Sequence, residues 1–450
     1  MHTPRRLSLV GAFLASAATL VACSPDTLPG PGAGAPAFAE NGPVLSQVPA
    51  GQTLPFLPIP TSAACVAGGT SQQIVLPAGY TSSIVAFEGT GFPDLPDMNT
   101  VNETGRNRGQ FLYRAHEIGA NAGVSVTDLV SGLTSIVAER ADWERFDGIA
   151  WTPWGTLIAA EEVTASALKD PTQPLAEGGH VYEIDPATGA SWVRQAVGAR
   201  AHEGLRFDNK GNLYGISETG PGYIYRFVPN RRNDLSSGKL YALQIVTDLG
   251  DRTGWAQWVL LDSAASEINS LTEAAAKGAT GYSRPEDVEI GTSTGSDQRG
   301  NNILYVALTG ENRVIAINLK PGPQGQVFVS DYVRNGVNAP VDFTAPDNLA
   351  LDKAGNLYIT EDPGGSAATG KTLGDDVWFA PYNRNSAAVA LPAERFFTIT
   401  DCDAEPTGVY LSLSNKTLFV NLQHRGGGDP RDHAVAIQRL RDVNFLRAGN

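Results

Sequence analysis

Acidic side chains recur in this sequence at both ends of paired apolar segments. An acid precedes the first segment, a turn joins it to a second segment, and acidic or polar residues follow. Carboxylates that are brought close together repel one another unless cations bind between them, so the pattern predicts metal binding. The copies run from Asp147 to Glu161 and Glu162, from Glu203 to Glu218, from Asp347 to Glu361 and Asp362, and, more loosely, from Glu286 and Asp287 to Glu311 and from Glu405 to Gln423 and His424.

Each copy has the features of a β-hairpin. The apolar segments have the length and composition of strands, and turn residues such as Asp208, Asn209 and Gly211 separate them. An antiparallel hairpin brings its two ends together, so both polar positions of a copy lie at one end. A radial array of such hairpins would gather the carboxylates around a common axis. The sequence therefore predicts an all-β chain that forms a β-propeller with metal ions at its mouth.

The length, the net charge and one helix-forming segment give further information about the domain and its partners. The chain has 450 residues, of which 42% are hydrophobic, and repeated strand units favour one large domain. The formal net charge of −14 argues against a nucleic-acid partner. Residues 255–278 are rich in helix-forming residues and end at Gly278, a plausible C-cap, which predicts a short helical insertion.

The N-terminal residues have the features of an export signal. Arg5 and Arg6 precede an apolar stretch that is too short to span a membrane, and residues 20–23 match the lipobox of bacterial lipoproteins. We expect a signal peptide at 1–22, a Pro- and Gly-rich tether at 23–52 and a propeller at 53–450. The protein would then be exported to the periplasm or cell surface and attached to the membrane only through a lipid on Cys23. An ordinary cleaved signal is the alternative.

Two further cysteines frame the predicted propeller. Cys65 lies at its start and Cys402 precedes its last hairpin. An exported chain is in an oxidising compartment, and a propeller sets N-terminal strands beside C-terminal ones, so we expect a disulfide between them. Two separate buried thiols are the alternative.

Several motifs together resemble those of the PhoX-type alkaline phosphatases. They occur in the order that this family shows and cover nearly all of the chain from about residue 74 onward. The resemblance implies a six-bladed propeller that hydrolyses small phosphate esters with iron and calcium, and we expect the protein to be a monomer. The motifs are Thr152-Pro153-Trp154-Gly155-Thr156 with Glu161 and Glu162, His202-Glu203-Gly204, Tyr225 to Pro229, Arg284-Pro285-Glu286-Asp287, Pro346-Asp347-Asn348-Leu349 and Leu418 to Gln423.

The resemblance implies the metal ligands, and the placement of Arg284 and His202 gives these two residues expected roles. Arg284 precedes two acids and would hold phosphate oxygens with its planar guanidinium. His202 adjoins Glu203 and would orient a ligand or protonate a leaving group, although neighbours on a strand face opposite sides. The expected metal ligands are acids, and oxygen ligands suit calcium; they are Asp147, Glu161, Glu162, Glu203, Glu286, Asp287, Asp347, Glu361 and Glu405.

One position departs from the family pattern. Where the family has a cysteine that supplies a thiolate to iron, this chain has Asp147. A carboxylate is a harder ligand and shifts the preference toward calcium or manganese. The iron expected from the resemblance is therefore less secure than the calcium.

Three function classes follow from these observations. The first is an exported, metal-dependent phosphomonoesterase. The second is a calcium-dependent lactonase or esterase, because residues 351–362 also resemble the strands of gluconolactonase-like propellers. The third is a non-catalytic propeller that binds a partner and uses calcium only for its structure. The order of the motifs favours the first class.

Overall fold

Short antiparallel strands make up most of the described chain. The computed structural model describes residues 38–40, 42–49, 52–89, 91–291, 302–386, 388–427 and 430–440. The predicted signal peptide at 1–22 and Cys23 lie outside these residues. In chain order, the strands are β1 Ile74–Val75, β2 Tyr80–Phe87, β3 Pro96–Val101, β4 Phe111–His116, β5 Gly123–Asp128, β6 Thr134–Glu139, β7 Phe146–Trp151, β8 Leu157–Glu161, β9 Val181–Ile184, β10 Ser191–Val193, β11 Leu205–Phe207, β12 Leu213–Ile216, β13 Ile224–Arg231, β14 Asp234–Gly250, β15 Thr253–Leu260, β16 Pro285–Ile290, β17 Ile303–Leu308, β18 Arg313–Asn318, β19 Val327–Arg334, β20 Pro346–Leu351, β21 Leu357–Glu361, β22 Asp376–Ala380, β23 Glu394–Ile399, β24 Glu405–Leu411, β25 Thr417–Gln423 and β26 His433–Arg439.

The described helical segments are few. The α-helix α1 spans Ser263–Ala276, and short 3₁₀ turns occupy Gln195–Val197, Thr309–Glu311, Pro323–Gly325 and Ala367–Thr369. No helix among the described residues has both the length and the apolar character needed to cross a membrane.

The strands of the described residues form five antiparallel sheets. Strands β3–β6 and β7–β10 form two four-stranded meanders, β2 completes a third sheet with β24–β26, and β1 adds a fifth strand to β20–β23. The remaining sheet has nine strands, because β15 pairs with both β14 and β19 and so joins β11–β14 to β16–β19.

The sheets follow one another around a ring. The first strand of each meander contacts the first strand of the next, in the order β3, β7, β11, β16, β20, β24 and back to β3. Six clusters of buried apolar side chains fill the spaces between neighbouring meanders. These contacts confirm the predicted all-β, propeller-like arrangement. Six separate blades are not seen, because the bridge through β15 merges two groups of strands into one sheet.

The helical insertion is shorter than the sequence pattern predicted. Residues 255–260 belong to β15, where they pair with β14, and Trp255 and Ala256 also pair with β19. The aromatic and β-branched residues of this segment favour a strand. The helix begins after Asp262, whose carboxylate accepts the N–H of Ala265 as an N-cap. Gly278 follows the helix with a positive φ of 72°, as a C-terminal glycine does.

N-terminal segments close the ring. Strand β2 pairs with β26, and β1 pairs with β23. Cys65 and Cys402 form a disulfide, which confirms that prediction. Part of the segment predicted as a flexible tether lies against the domain: Leu45 is 1% exposed, and its carbonyl accepts the hydroxyl of Tyr80. The described part of that segment therefore packs against the domain, because its apolar side chains are buried in the core.

Candidate metal centre

The first strands of the meanders bring acidic side chains toward the ring axis through β-bulges. The register of pairing shifts between Pro96 and Asn99 in β3, and equivalent shifts occur near the start of β7, β16 and β20. A bulge turns a side chain away from the regular alternation of a strand. Five acids lie in these bulges, and all of them except Asp287 line the cavity described below; they are Asp97, Asp147, Glu286, Asp287 and Asp347.

The second strand of each hairpin ends beside the start of the first, as predicted. Phe146 pairs with Glu161, Pro346 with Glu361, and Glu405 with Gln423. The residue that follows the paired position then projects at the rim. Four of these rim residues are acids, namely Glu117, Glu162, Glu218 and Asp362.

These elements enclose one acidic cavity of about 490 Å³. Its positively charged lining residues are Arg145, Arg284 and Lys371, and His424 also faces it. Twelve carboxylates line it: Asp97, Glu117, Asp147, Glu162, Glu203, Glu218, Glu286, Asp347, Asp362, Asp375, Asp403 and Glu405.

Three of these acids form a candidate cation site. Glu203, Glu286 and Asp347 are buried, and each offers a carboxylate oxygen within 4.8 Å of the others. Oxygens at such separations can share one Ca²⁺, which takes six to eight oxygen ligands. Oε2 of Glu203 and Oδ1 of the neighbouring Asp147 are buried without a hydrogen-bond partner among the described residues. Buried carboxylate oxygens without donors fit a cation as their missing partner.

The electrostatics of the cavity lead to the same inference. Burial, together with the charge of Glu117, raises the pKa of Asp97 to about 8. Burial and Glu218 raise the pKa of Glu286 to about 8, although its hydrogen bonds oppose the shift. Burial and neighbouring carboxylates also raise the pKa values of Asp147, Glu203 and Asp347 well above the ordinary range. Without cations, these acids would therefore be held partly protonated.

Glycines let neighbouring first strands approach closely enough to gather these acids. A Cβ at Gly148 would clash with the carbonyl oxygen of Glu203, and one at Gly204 would clash with the carboxylate of Asp287. Only glycine fits such contacts. The glycine after Asp147 and the glycine after Glu203 therefore help to set the spacing of the acids.

Arg284 lies at the cavity wall. Its guanidinium Nε lies 2.7 Å from Glu218 and 2.8 Å from Glu286, and Nη2 lies 3.4 Å from Asp362. These acids raise the pKa of the Arg284 guanidinium further, against the opposing effect of burial. The side chain remains 44% exposed, so it can also reach an anion in the cavity.

Three predicted ligands lie outside the cavity wall. Glu161 accepts the backbone N–H groups of Glu144 and His180, at 3.1 and 2.9 Å. Glu361 accepts the N–H of Thr344 at 2.8 Å, and Asp287 accepts the N–H of Leu349 at 2.9 Å. Their buried carboxylates bind the backbone around the hairpin ends, whereas Asp147, Glu162, Glu203, Glu286, Asp347 and Glu405 line the cavity.

His202, which was predicted to orient a ligand or to protonate a leaving group, is also turned away from the cavity. It is fully buried, and its Nε2 lies 2.9 Å from the carbonyl oxygen of Gly198. Burial holds the pKa of its imidazole well below the usual value. Its neighbour Glu203 faces the cavity, as the alternation of side chains along an extended chain requires.

The sequence interpretation missed several lining residues. Asp97 and Glu117 occupy the repeated positions of the β3–β4 hairpin, but the long turn at 102–110 hid the repeat. Arg145 stands two residues before Asp147, as Arg284 stands two before Glu286, and this spacing was a usable signal. Lys371 enters from the loop after β21, for which the sequence carries no comparable signal.

Comparisons with known proteins identify the family of this chain and support its fold. The model of the family described as alkaline phosphatase PhoX matches residues 149–335 and 322–426. No curated protein matches the sequence significantly. The solved structure of Pseudomonas fluorescens PhoX in complex with vanadate, a transition state analogue, is 19% identical, covers 84% of this chain and 97% of that one, and has a TM-score of 0.60, which supports the fold. A gluconolactonase from Xanthomonas campestris is 11% identical, covers 85% of this chain and 100% of that one, and has a TM-score of 0.45.

Proposed function

The chain belongs to the PhoX alkaline phosphatase family, and on this premise we propose that it is an exported, metal-dependent phosphomonoesterase. The observation that carries the proposal is the combination of clustered carboxylates with Arg284 at one cavity. Carboxylates supply the ligands of hard cations, and a guanidinium matches the oxygens of a phosphate. Small organic phosphate esters are the substrate class.

The donor set favours calcium. Glu203, Glu286 and Asp347 would hold one cation, with Asp147 at their side. When bound, such cations would act as Lewis acids that offset the negative charge of the phosphoryl group. The described cysteines form a disulfide, so no described thiolate is available to soften the site for iron. We therefore propose calcium as the main metal, with iron depending on Asp147.

Besides the bound cations, the side chain of Arg284 binds the phosphate group of the substrate. Its fork faces the cavity while Glu218, Glu286 and Asp362 hold it in place. A guanidinium fixed in this way can bind two phosphate oxygens without first losing side-chain freedom. Arg284 therefore orients the phosphate, and its permanent charge stabilises the additional negative charge of the transition state.

We further propose that the ring corresponds to six blades, two of which, β11–β14 and β16–β19, are joined into one sheet through β15. The six apolar clusters and the cyclic contacts among first strands support this count. We also propose that a lipid on Cys23 anchors the exported protein. Cys23→Ser should release it from the membrane fraction, and a variant that fractionates like the parent would contradict the anchor.

The function is tested with purified parent protein, Arg284→Gln and Arg284→Lys. The parent should hydrolyse nitrophenyl phosphate, Arg284→Gln should lose at least about tenfold in kcat/KM, and Arg284→Lys should recover only part of the activity. Unchanged calcium content in both variants serves as the control for the metal centre. A parent that cleaves lactones and no phosphate ester when supplied with calcium would contradict the proposal.

A further inference from the structure

Arg145 occupies the same position in its hairpin as Arg284 does. The N–H of Arg284 donates to the carbonyl of Thr219, the residue after the rim acid Glu218 of the preceding meander. In the same way, the N–H of Arg145 donates to the carbonyl of Ile118, the residue after the rim acid Glu117. The carbonyl of each arginine accepts an N–H from the rim residue of its own hairpin. Both have a positive φ, 40° and 48°. The backbone therefore places two arginine residues at equivalent points of the ring, and both side chains line the cavity.

The two arginines differ in their partners. Three carboxylates surround the guanidinium of Arg284. Within the described residues, the guanidinium of Arg145 forms no ion pair or hydrogen bond, although Arg145 is exposed and lines the same cavity. Lys371, the other described cation of the wall, is paired with Asp375 at 2.7 Å. Arg145 thus presents a free positive charge to a cavity whose other described cations are engaged.

A free guanidinium at this place suits an anion that enters with the substrate. The cavity has about 490 Å³, within the range of pockets that hold whole small molecules, so it has room for more than a phosphate group. A guanidinium binds a carboxylate or a second phosphate with two parallel N–H groups. The twelve carboxylates of the same wall would repel such an anion unless a positive charge lies next to it.

We propose that Arg145 binds a second anionic group, a carboxylate or a phosphate, in the alcohol part of the substrate. This inference rests on the proposed phosphatase function, with Arg284 on the phosphate that is removed. Arg145 is then a specificity-determining residue, and esters that carry a second anion are the preferred substrates of the site.

The experiment compares matched esters on the full metal-loaded protein. Phosphoglycerate differs from glycerol phosphate by a carboxylate in place of a hydroxymethyl group, and fructose bisphosphate offers a second phosphate. Arg145→Gln should lower kcat/KM for phosphoglycerate and fructose bisphosphate by about tenfold to a hundredfold, and for glycerol phosphate by no more than about twofold. The kcat/KM of Arg145→Lys for phosphoglycerate and fructose bisphosphate should lie between the values of the parent and of Arg145→Gln. Arg232→Gln, at an exposed arginine of the β13–β14 turn, is the matched control and should leave kcat/KM unchanged for all three esters.

Binding is measured in parallel by calorimetry, so that the inference is tested even without turnover. Parent protein should bind phosphoglycerate more tightly than glycerol phosphate, and Arg145→Gln should lose this preference. Equal losses for both esters, or no loss for either, would overturn the role of Arg145. A metal-loaded parent that hydrolyses none of the esters would contradict the phosphatase function, whereas the calorimetric preference would still decide the role of Arg145. Unchanged calcium content and thermal unfolding of Arg145→Gln show that the variant is folded.

Discussion

Replacing Glu203 by glutamine should have opposite effects on the metal-free and the metal-loaded protein. Glu203, Glu286 and Asp347 present carboxylate oxygens within 4.8 Å of one another. At this separation and an effective dielectric constant of about 20, two ionised carboxylates repel by about 3.5 kcal/mol. Glu203→Gln removes two such repulsions at nearly constant shape. The chelated variant should therefore have a larger free energy of unfolding than the chelated parent.

The size of this gain depends on pH. Burial and neighbouring acids raise the pKa of Glu203 well above its ordinary value, so part of the repulsion is avoided by protonation. At about pH 9, where more of the cluster is ionised, the gain should exceed about 1 kcal/mol. In the calcium-loaded protein the same substitution removes a ligand, so calcium affinity should fall by at least about tenfold.

The assay is urea unfolding of parent and Glu203→Gln, each with chelator and with calcium, together with a calcium titration. Glu139→Gln, an exposed acid on the outer strand β6, is the matched control and should change neither stability nor affinity. If Glu203→Gln destabilises the chelated protein, the carboxylate is a structural hydrogen-bond acceptor and not part of a repulsive cation site.

Further outcomes follow from the same structure. The chelated protein should lose stability as pH rises through about 8, because the folded pKa values of Asp97 and Glu286 lie above their unfolded values and the protonated forms therefore favour the folded state. Urea unfolding at a series of pH values measures this loss, and calcium should abolish it. Asp147→Cys should raise the ratio of bound iron to calcium, because a thiolate is a softer ligand, and elemental analysis that finds the parent's ratio would contradict this. Replacing Cys65 and Cys402 by serine should lower the free energy of unfolding by about 5 kcal/mol, since the disulfide closes a loop with a sequence separation of 337, and an unchanged urea midpoint would refute it.

The sequence predicted the hairpins because their signals are local. The segments Asp208 to Asn212 and Asp352 to Asn356 form the same turn, in which the aspartate accepts backbone N–H groups and the asparagine side chain. Such turns and their flanking apolar runs can be read from residue types alone. The acids at the hairpin ends follow from these turns, which is why the cavity could be predicted.

The choice between neighbouring acids could not be made from the sequence. Glu161 and Glu162 are both acids at a strand end, and only the structure shows that Glu161 binds backbone N–H groups while Glu162 lines the cavity. The bulge that turns Asp97 toward the axis depends on pairing with β4, a contact between separate strands. The bridge formed by β15 is likewise a tertiary contact that its own residues do not encode.

Metal dependence of phosphate-ester hydrolysis tests the central claim most directly. Purified protein is exhaustively chelated, and hydrolysis of nitrophenyl phosphate is measured before chelation, after it, and after adding calcium, calcium with iron, or magnesium. Activity should disappear on chelation and return with calcium, with or without iron, because the clustered carboxylates need a cation that accepts many oxygen ligands. Activity that survives chelation, or that magnesium alone restores, would contradict the account.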